Sequence, residues 1–389
     1  MKNILLIFFC TACISCKKYL EVGQPRTQLS SASVFSSDAT ATAAQLAIYS
    51  QMETQGLFFQ LPAYTGLAGD EFRNHSTFSD YVDLATNNLT AGNQLINTIW
   101  TNLYRYIYQC NAVLEGIDRS TALTPVIKEQ LEGESRFIRA FCYYYLVNLY
   151  GPVPSVSSTD YTINSILARS PVSEIYAFII NDLVTAKALL PTGYKSGTNS
   201  SSSERVRPNK WSAAALLARV YLHLGRWPEA EVESAGVIGS PVYGLSTDLN
   251  NSFLKGSPEA IFQLMAVVPR FNSFPGGNFI LSAAPSIISI APGFLSSFRP
   301  GDRRQLAWTK SISTTAGIFY YPYKYKVGQN ASSITEYTIV LRLAEQFLIR
   351  AEARAMQHKL TESEADLNII RLRAGLSAIN GLSQDALLD

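Results

Sequence analysis

Histidine is scarce in this chain: His75, His223 and His358 are its three imidazoles, scattered over separate segments with no metal-ligand spacing. No G-x-S-x-G elbow, phosphate-binding loop or dinucleotide fingerprint accompanies them. Nucleophilic catalysis, a metal centre and a bound cofactor therefore have no visible machinery, and the expectation is a binding protein rather than an enzyme. The acidic pair Asp70-Glu71 invites a hydrolytic reading. Glycoside hydrolysis needs two carboxyls held about 5 to 10 Å apart across the scissile bond. Adjacent residues rarely aim at one bond, so capping, hydrogen bonding or ligand contact is the favoured role.

Aromatic side chains are the more informative chemistry. Sugar rings lay their apolar C–H faces on Tyr, Trp or Phe while their hydroxyls pair with Asp, Asn and Arg. Phe72, Phe78 and Tyr81 lie between helical patterns with Asp70, Arg73, Asp80, Asn87 and Asn88 close in sequence, and Phe271, Phe274 and Phe279 surround the turn Pro275-Gly276-Gly277. From these we take Asp70, Arg73, Phe78, Tyr81, Asn88, Phe271 and Phe274 as candidate ligand contacts; burial in the core is the competing reading for each ring. Trp100, Trp211 and Trp227 fall on helical patterns and read as structural. Tyr320-Tyr321 and Tyr323-Tyr325 alternate like a half-buried strand.

The elements that must position these side chains follow from composition and pattern. At 389 residues, 47% hydrophobic and 16% charged, the chain can bury a substantial core, which excludes disorder as its main state. Its 32 basic against 30 acidic side chains leave a net charge of +2, with no basic stripe to neutralise phosphates, so nucleic acid is not an expected partner. The start is a leader. Lys2 precedes an apolar run of roughly a dozen residues, too short for a bilayer that needs about twenty. Ile14-Ser15-Cys16 then places a small residue before a cysteine. Residues 1–15 read as a lipoprotein signal, cleaved before Cys16, with lipid (palmitate) on the Cys16 sulfur and the new amino terminus. Cys13, after Thr11-Ala12, is a competing site, and an ordinary secretory signal is the alternative. Residues 16–36, with Gly23, Pro25 and a Ser/Thr run, read as a tether, and residues 37–389 as one domain.

Cys110 and Cys142 are the cysteines left in the body and read as buried thiols among apolar residues; a bridge between them is the alternative that geometry decides. Helical period covers 37–54, behind Ser37 and Asp38 as caps, and 92–117. A third helix is bounded by Thr124-Pro125 and Gly151-Pro152, and a fourth by Ser170-Pro171 and Pro191. Residues 193–203 are Ser-rich and read as a flexible connection. Between about 241 and 335, dense Pro, Gly and Ser with strand-like pieces at 260–268 and 318–327 mark an irregular insertion. Helical pattern resumes over 337–357 and 362–373.

Residues 208–238 carry an internal signature. Leu217, Ala218, Tyr221, Gly225, Trp227 and Ala230 fall at the spacings of a tetratricopeptide repeat. Ala218 and Ala230 let two antiparallel helices approach, Tyr221 fills the gap beneath them, and Gly225 permits the turn. A weaker copy at 344–373 puts Ala353 and Ala365 at the small positions and Glu352 at the usual Leu position. Such pairs must stack to bury both faces, which predicts a mainly α fold of stacked tetratricopeptide-like helix pairs with an irregular loop and short-strand insertion.

At this point the sequence resembles the SusD/RagB outer-membrane lipoproteins of glycan-using Bacteroidetes-type bacteria. The resemblance runs in order through SCKKYLEVGQP, residues 44–49, Gly69-Asp70-Glu71, WTNLYRYIYQCNAVLEGI, RFIRAFCYYYLVNLYGPVP, the tetratricopeptide pair, FRPGDRR, YPYKYKV, YTIVLRLAEQFLIRAEA and LNIIRLRAGL. It implies a surface lipoprotein on the outer membrane, without catalytic activity, that captures an oligosaccharide or other nutrient and delivers it to a SusC-type TonB-dependent transporter. A ligand-free tetratricopeptide scaffold of an envelope complex, or a glycoside hydrolase using Asp70 or Glu71, are the alternatives. The family's ligand residues lie in variable loops, so none carries over by position. Asp302-Arg303-Arg304 resembles a family motif whose expected role is a salt bridge or hydrogen bonds fixing the insertion on the scaffold. Family members are usually longer: here Ser383 looks like the cap of a new helix that ends within about two turns. That predicts a truncated or frameshifted product lacking a helix over the last repeat, a point that sequencing past Asp389 decides.

Overall fold

The computed structural model describes residues 31–389; the leader, Cys16 and the tether up to residue 30 lie outside the described residues. The chain is mainly helical. Helix α1 (Asp38–Thr54) starts where expected, with the Ser37 side chain accepting from the Thr40 N–H at 3.3 Å. Helix α2 (Leu57–Ala68) follows a left-handed Gly56 and accommodates Pro62 in its interior. Strand β1 (Phe72–Asn74) and helix α3 (Ser79–Ala85) lead to the long helices α4 (Gln94–Arg119) and α5 (Pro125–Tyr150). Thr124 precedes α5 but does not cap it; its N–H and hydroxyl donate to the Asp38 carboxylate, each at 3.0 Å, tying the starts of α1 and α5 together. Gly151, at φ +69°, ends α5 in a conformation that disfavours a side chain.

Helices α6 (Val172–Leu189), α7 (Lys210–His223) and α8 (Trp227–Ile238) continue the stack, each packed on its predecessor. In the α7/α8 pair Ala218 and Ala230 are fully buried, Tyr221 fills the gap, and Gly225 turns the chain at φ +69°, as the repeat spacing predicts. Cys110 and Cys142 are free buried thiols. The 193–203 segment is not a loose connection. Strands β2 (Tyr194–Lys195) and β3 (Ser201–Ser202) pair as a short hairpin, and the buried Arg207 donates to Ser196 O and Asn199 Oδ1.

The insertion is closed at its neck by antiparallel pairing of β4 (Ala260–Leu264) with β8 (Thr338–Arg342). Residues 338–342, within the run expected to open a helix, are therefore a strand. Thr338, Ile339 and Val340 are β-branched, and a buried partner strand rewards them where a helix would crowd them. Helix α12 (Leu343–Met356) packs on α8 across the insertion, and α13 (Leu360–Arg373) packs on α12. Ala353 is buried as expected, but Ala365 is exposed. The face turned to α12 is polar instead: Ser363 donates to Ala351 O at 2.8 Å, and Asp366 takes salt bridges from Arg350 (2.6 Å) and Arg354 (2.8 Å). Ser383 caps the terminal helix α14 (Gln384–Leu388) through the Ala386 N–H.

Within the neck lie α9 (Phe274–Phe279), β5 (Ile288–Ile290), α10 (Pro292–Ser296), α11 (Arg303–Trp308) and the hairpin β6 (Thr309–Thr314) with β7 (Gly317–Pro322). Strand β1 pairs antiparallel with β5, so the 55–92 segment and the insertion meet although some 200 residues separate them. Phe262 of β4 packs edge-on against Tyr49 of α1 (5.9 Å) and Phe137 of α5 (5.5 Å), joining the insertion's neck to the helical core. Among the described residues no helix is long and apolar enough to cross a membrane.

Candidate functional site

A cavity of about 600 Å³ opens where the insertion meets α2 and β1. Its walls are aromatic. Phe72 stacks on Phe279 (5.7 Å), which also meets Phe59 (4.9 Å), so β1, α9 and α2 share one ring cluster. Phe294 and Phe298 meet edge-to-face at 5.6 Å, and Phe253 is edge-on to Trp308 at 5.6 Å. The Trp308 indole N–H donates to Leu249 O at 3.0 Å, which fixes the plane of its ring. Phe58, Tyr145 and Tyr325 complete the lining, together with Glu71, Asp302, Arg304, Lys324 and Thr338. Rings held in place beside a few polar groups suit a ligand with apolar C–H faces and hydroxyls.

The floor depends on Gly276. A Cβ there would stand 2.6 Å from Val327 O, a backbone atom that cannot swing aside. Gly276→Ala is therefore expected to destabilise the protein by about 1–3 kcal/mol through overpacking, read as a lowered midpoint in thermal unfolding; an unchanged midpoint contradicts this account of the floor.

Charges around the cavity are mostly committed to one another. Asp302 caps α11 through the Arg304 N–H (2.9 Å) and receives the Arg304 guanidinium at 3.0 Å and 2.7 Å. Partial burial pushes the Asp302 carboxyl up, but those hydrogen bonds outweigh it and hold it below the ordinary aspartate range. Arg303 N–H donates to Ala374 O at 2.8 Å, so this loop is fixed on the end of α13, the structural role expected for Asp302-Arg303-Arg304. Glu259 is fully buried, salt-bridged to Arg342 at 2.6 Å and also to Arg373. Lys324 stands with Arg342 over the same rings: its ammonium is 5.9 Å from both Phe253 and Trp308, and the Arg342 guanidinium 5.3 Å and 5.5 Å. Lys324 is solvent-exposed; the protein packed around it and then the Arg342 charge lower its pKa, against the opposing pull of Glu71.

The residues singled out from sequence are not brought together. Asp70 is exposed in a left-handed conformation (φ +57°) while Glu71 lines the cavity, so the acidic pair does not converge on one point. Arg73 is exposed on β1, Phe78 is 74% exposed before α3, and Asn88 is exposed after it. Tyr81 is half-buried, edge-on to Tyr64 at 6.1 Å. Phe274 packs with Phe59 (6.4 Å) and Phe271 (6.2 Å), and Phe271 lines a separate, smaller cavity beside Val267 and Ile334. Phe72 and Phe279, weighed with them, do line the main cavity. Phe253, Phe294, Phe298, Trp308 and Lys324 also line it and are not among the residues singled out from sequence. A signal was present for some: Phe298 opens FRPGDRR, and Lys324 sits in YPYKYKV. Among the described residues no cluster of His, Cys, Asp or Glu could hold a metal ion.

Residues 18–222 match the SusD-like family described as starch-binding and associating with the outer membrane, and residues 303–385 match the SusD family. Two SusD-like proteins of Formosa agariphila, P25 and P2, are each 26% identical, over 58% and 75% of this chain. The chain spans 44% and 65% of their respective lengths. A SusD superfamily structure from Bacteroides vulgatus superposes with a TM-score of 0.80 at 19% identity, covering 91% of this chain and 83% of that one. A laminarin-binding SusD-like protein gives 0.70 at 18% identity, covering 90% and 86%. Both structural likenesses are of fold.

Proposed function

The chain belongs to the SusD/RagB family, and from that premise we propose that it is a non-catalytic glycan-binding protein of the outer membrane whose site is the aromatic cavity between α2 and the insertion. The carrying observation is the lining itself: Trp308, Phe253 and Phe294, held by edge-to-face contacts, beside Arg304, Lys324 and Thr338. A laminarin-binding relative of the same fold supports a saccharide as the ligand class. Arg73 and Phe78, exposed on the segment after Phe72, are assigned to sugar units beyond the cavity. Isothermal titration of the folded protein against a glycan panel tests the reading. Trp308→Ala is expected to weaken the best saccharide by roughly tenfold or more while leaving the far-ultraviolet circular dichroism unchanged. Absence of binding to every saccharide, or an undiminished affinity in the variant, would remove the cavity as the site.

Among the carboxyls of the cavity lining, Asp302 is unsuited to act as a general acid. Asp302 is held as an anion by Arg304 and so is a poor proton donor, whereas glycoside hydrolysis needs a carboxylic acid with a raised pKa. In this reading Cys16 carries the lipid anchor, and a SusC-type TonB-dependent transporter receives the bound nutrient. Co-purification of that transporter with the lipidated protein is the test of the partnership.

A further inference from the structure

Three cations stand at the cavity, and they are not equivalent. Arg304 is spent on Asp302, and Arg342 on Glu259. Lys324, among the described residues of the lining, is the cation that makes neither a hydrogen bond nor an ion pair; Glu71 lines the same cavity but stays beyond ion-pair distance. Glu71 offsets part of its charge from beyond ion-pair distance, but a second positive charge stands beside it. Glu259 serves both Arg342 and Arg373, so that buried group keeps one surplus positive charge, and Arg342 shares the Phe253 and Trp308 rings with Lys324. Two like charges on one pair of rings repel, and a sugar hydroxyl would satisfy a single N–H without relieving that repulsion. An anion would do both.

Building on the assignment of this cavity as the glycan site, we propose that the ligand is an acidic saccharide whose carboxylate or sulfate group is bound by Lys324, while Trp308 and Phe253 fix the position of that ammonium.

The test is isothermal titration with tri-galacturonate and a sulfated carrageenan tetrasaccharide, set against maltotriose and laminaritriose as neutral oligosaccharides. At least one anionic probe should bind about tenfold or more tightly than the neutral ones, and the tighter of the two distinguishes carboxylate from sulfate. Lys324→Met, which keeps the apolar stem, should erase that preference; Lys324→Arg should retain it. If neutral saccharides bind and the anionic ones bind no more tightly, or if Lys324→Met leaves the preference intact, the acidic-ligand inference falls while the cavity remains a glycan site. If no saccharide of either kind binds, the site assignment falls and takes this inference with it.

Discussion

Truncating Glu134 to alanine is expected to lower the unfolding free energy by about 3–5 kcal/mol. Glu134 and Arg207 are 0% and 1% exposed, 73 positions apart in sequence, and salt-bridged at 2.8 Å. The same carboxylate accepts from the Tyr49 hydroxyl at 2.8 Å and from Gln130. Removing it leaves a guanidinium buried without its counter-charge and a phenol without its acceptor, which costs far more than the pair contributes over an apolar replacement. Urea unfolding at neutral pH measures the loss. The double variant Glu134→Ala with Arg207→Met should recover part of it, because the uncompensated charge is gone. A loss below about 1 kcal/mol in the single variant would mean that water or a shifted neighbour compensates Arg207, contrary to the burial described.

The second large effect is a pH dependence at Glu53. This residue is 2% exposed at the end of α1 and joins three elements under the cavity: its Oε1 accepts from the Phe274 N–H of α9 and from the Thr338 hydroxyl of β8, each at 2.9 Å. Its Oε2 is buried with no hydrogen bond. Burial raises its pKa from 4.5 to about 7, against the two hydrogen bonds. The folded state therefore holds a proton that the unfolded chain has released. The stabilisation is fully present below about pH 4.5 and is lost as the pH rises through about 7. A shift of this size corresponds to at most roughly 3 kcal/mol. Glu53→Gln, uncharged at every pH and still an acceptor for both bonds, should be close to wild type at pH 4.5 and more stable than wild type at pH 8. Parallel stability–pH profiles for the two proteins would show that Glu53 titrates in the folded state as it does in the unfolded chain.

Much of the scaffold was legible because its determinants are local. The caps and stops around α1 and α5, and the small and aromatic positions of the α7/α8 pair, act within a few turns of chain, so spacing alone placed those helices. The misplacements have one cause. Residues 338–342 carry a run that continues into helical pattern, but the β-branched Thr338, Ile339 and Val340 lie opposite β4, nearly 80 residues upstream, and the run becomes a strand. Ala365 was assigned the small position of its repeat, yet α13 turns Ser363 and Asp366 inward because Arg350 and Arg354 on α12 bind there. The Ser-rich segment 193–203 has the composition of a loose connection, but the buried Arg207 holds it through Ser196 and Asn199.

For the site, the cavity gathers a different set of aromatic and polar side chains from the set grouped by proximity in sequence. Aromatic abundance beside Asp, Asn and Arg suggests a binding surface, and the ordered motifs point to the family. Proximity in sequence then grouped Asp70, Arg73, Phe78, Tyr81 and Asn88, whereas β1 is a strand whose successive side chains face opposite ways: Phe72 turns into the cavity and Arg73 away from it. The helical repeat scaffold can be read along the chain, since it rests on periods and spacings of a few residues. Which rings and charges share a cavity depends on long-range packing. Phe72, Phe279, Phe294, Trp308 and Lys324 meet through the pairing of β1 with β5 and of β4 with β8, contacts between segments tens to hundreds of residues apart that no local pattern encodes.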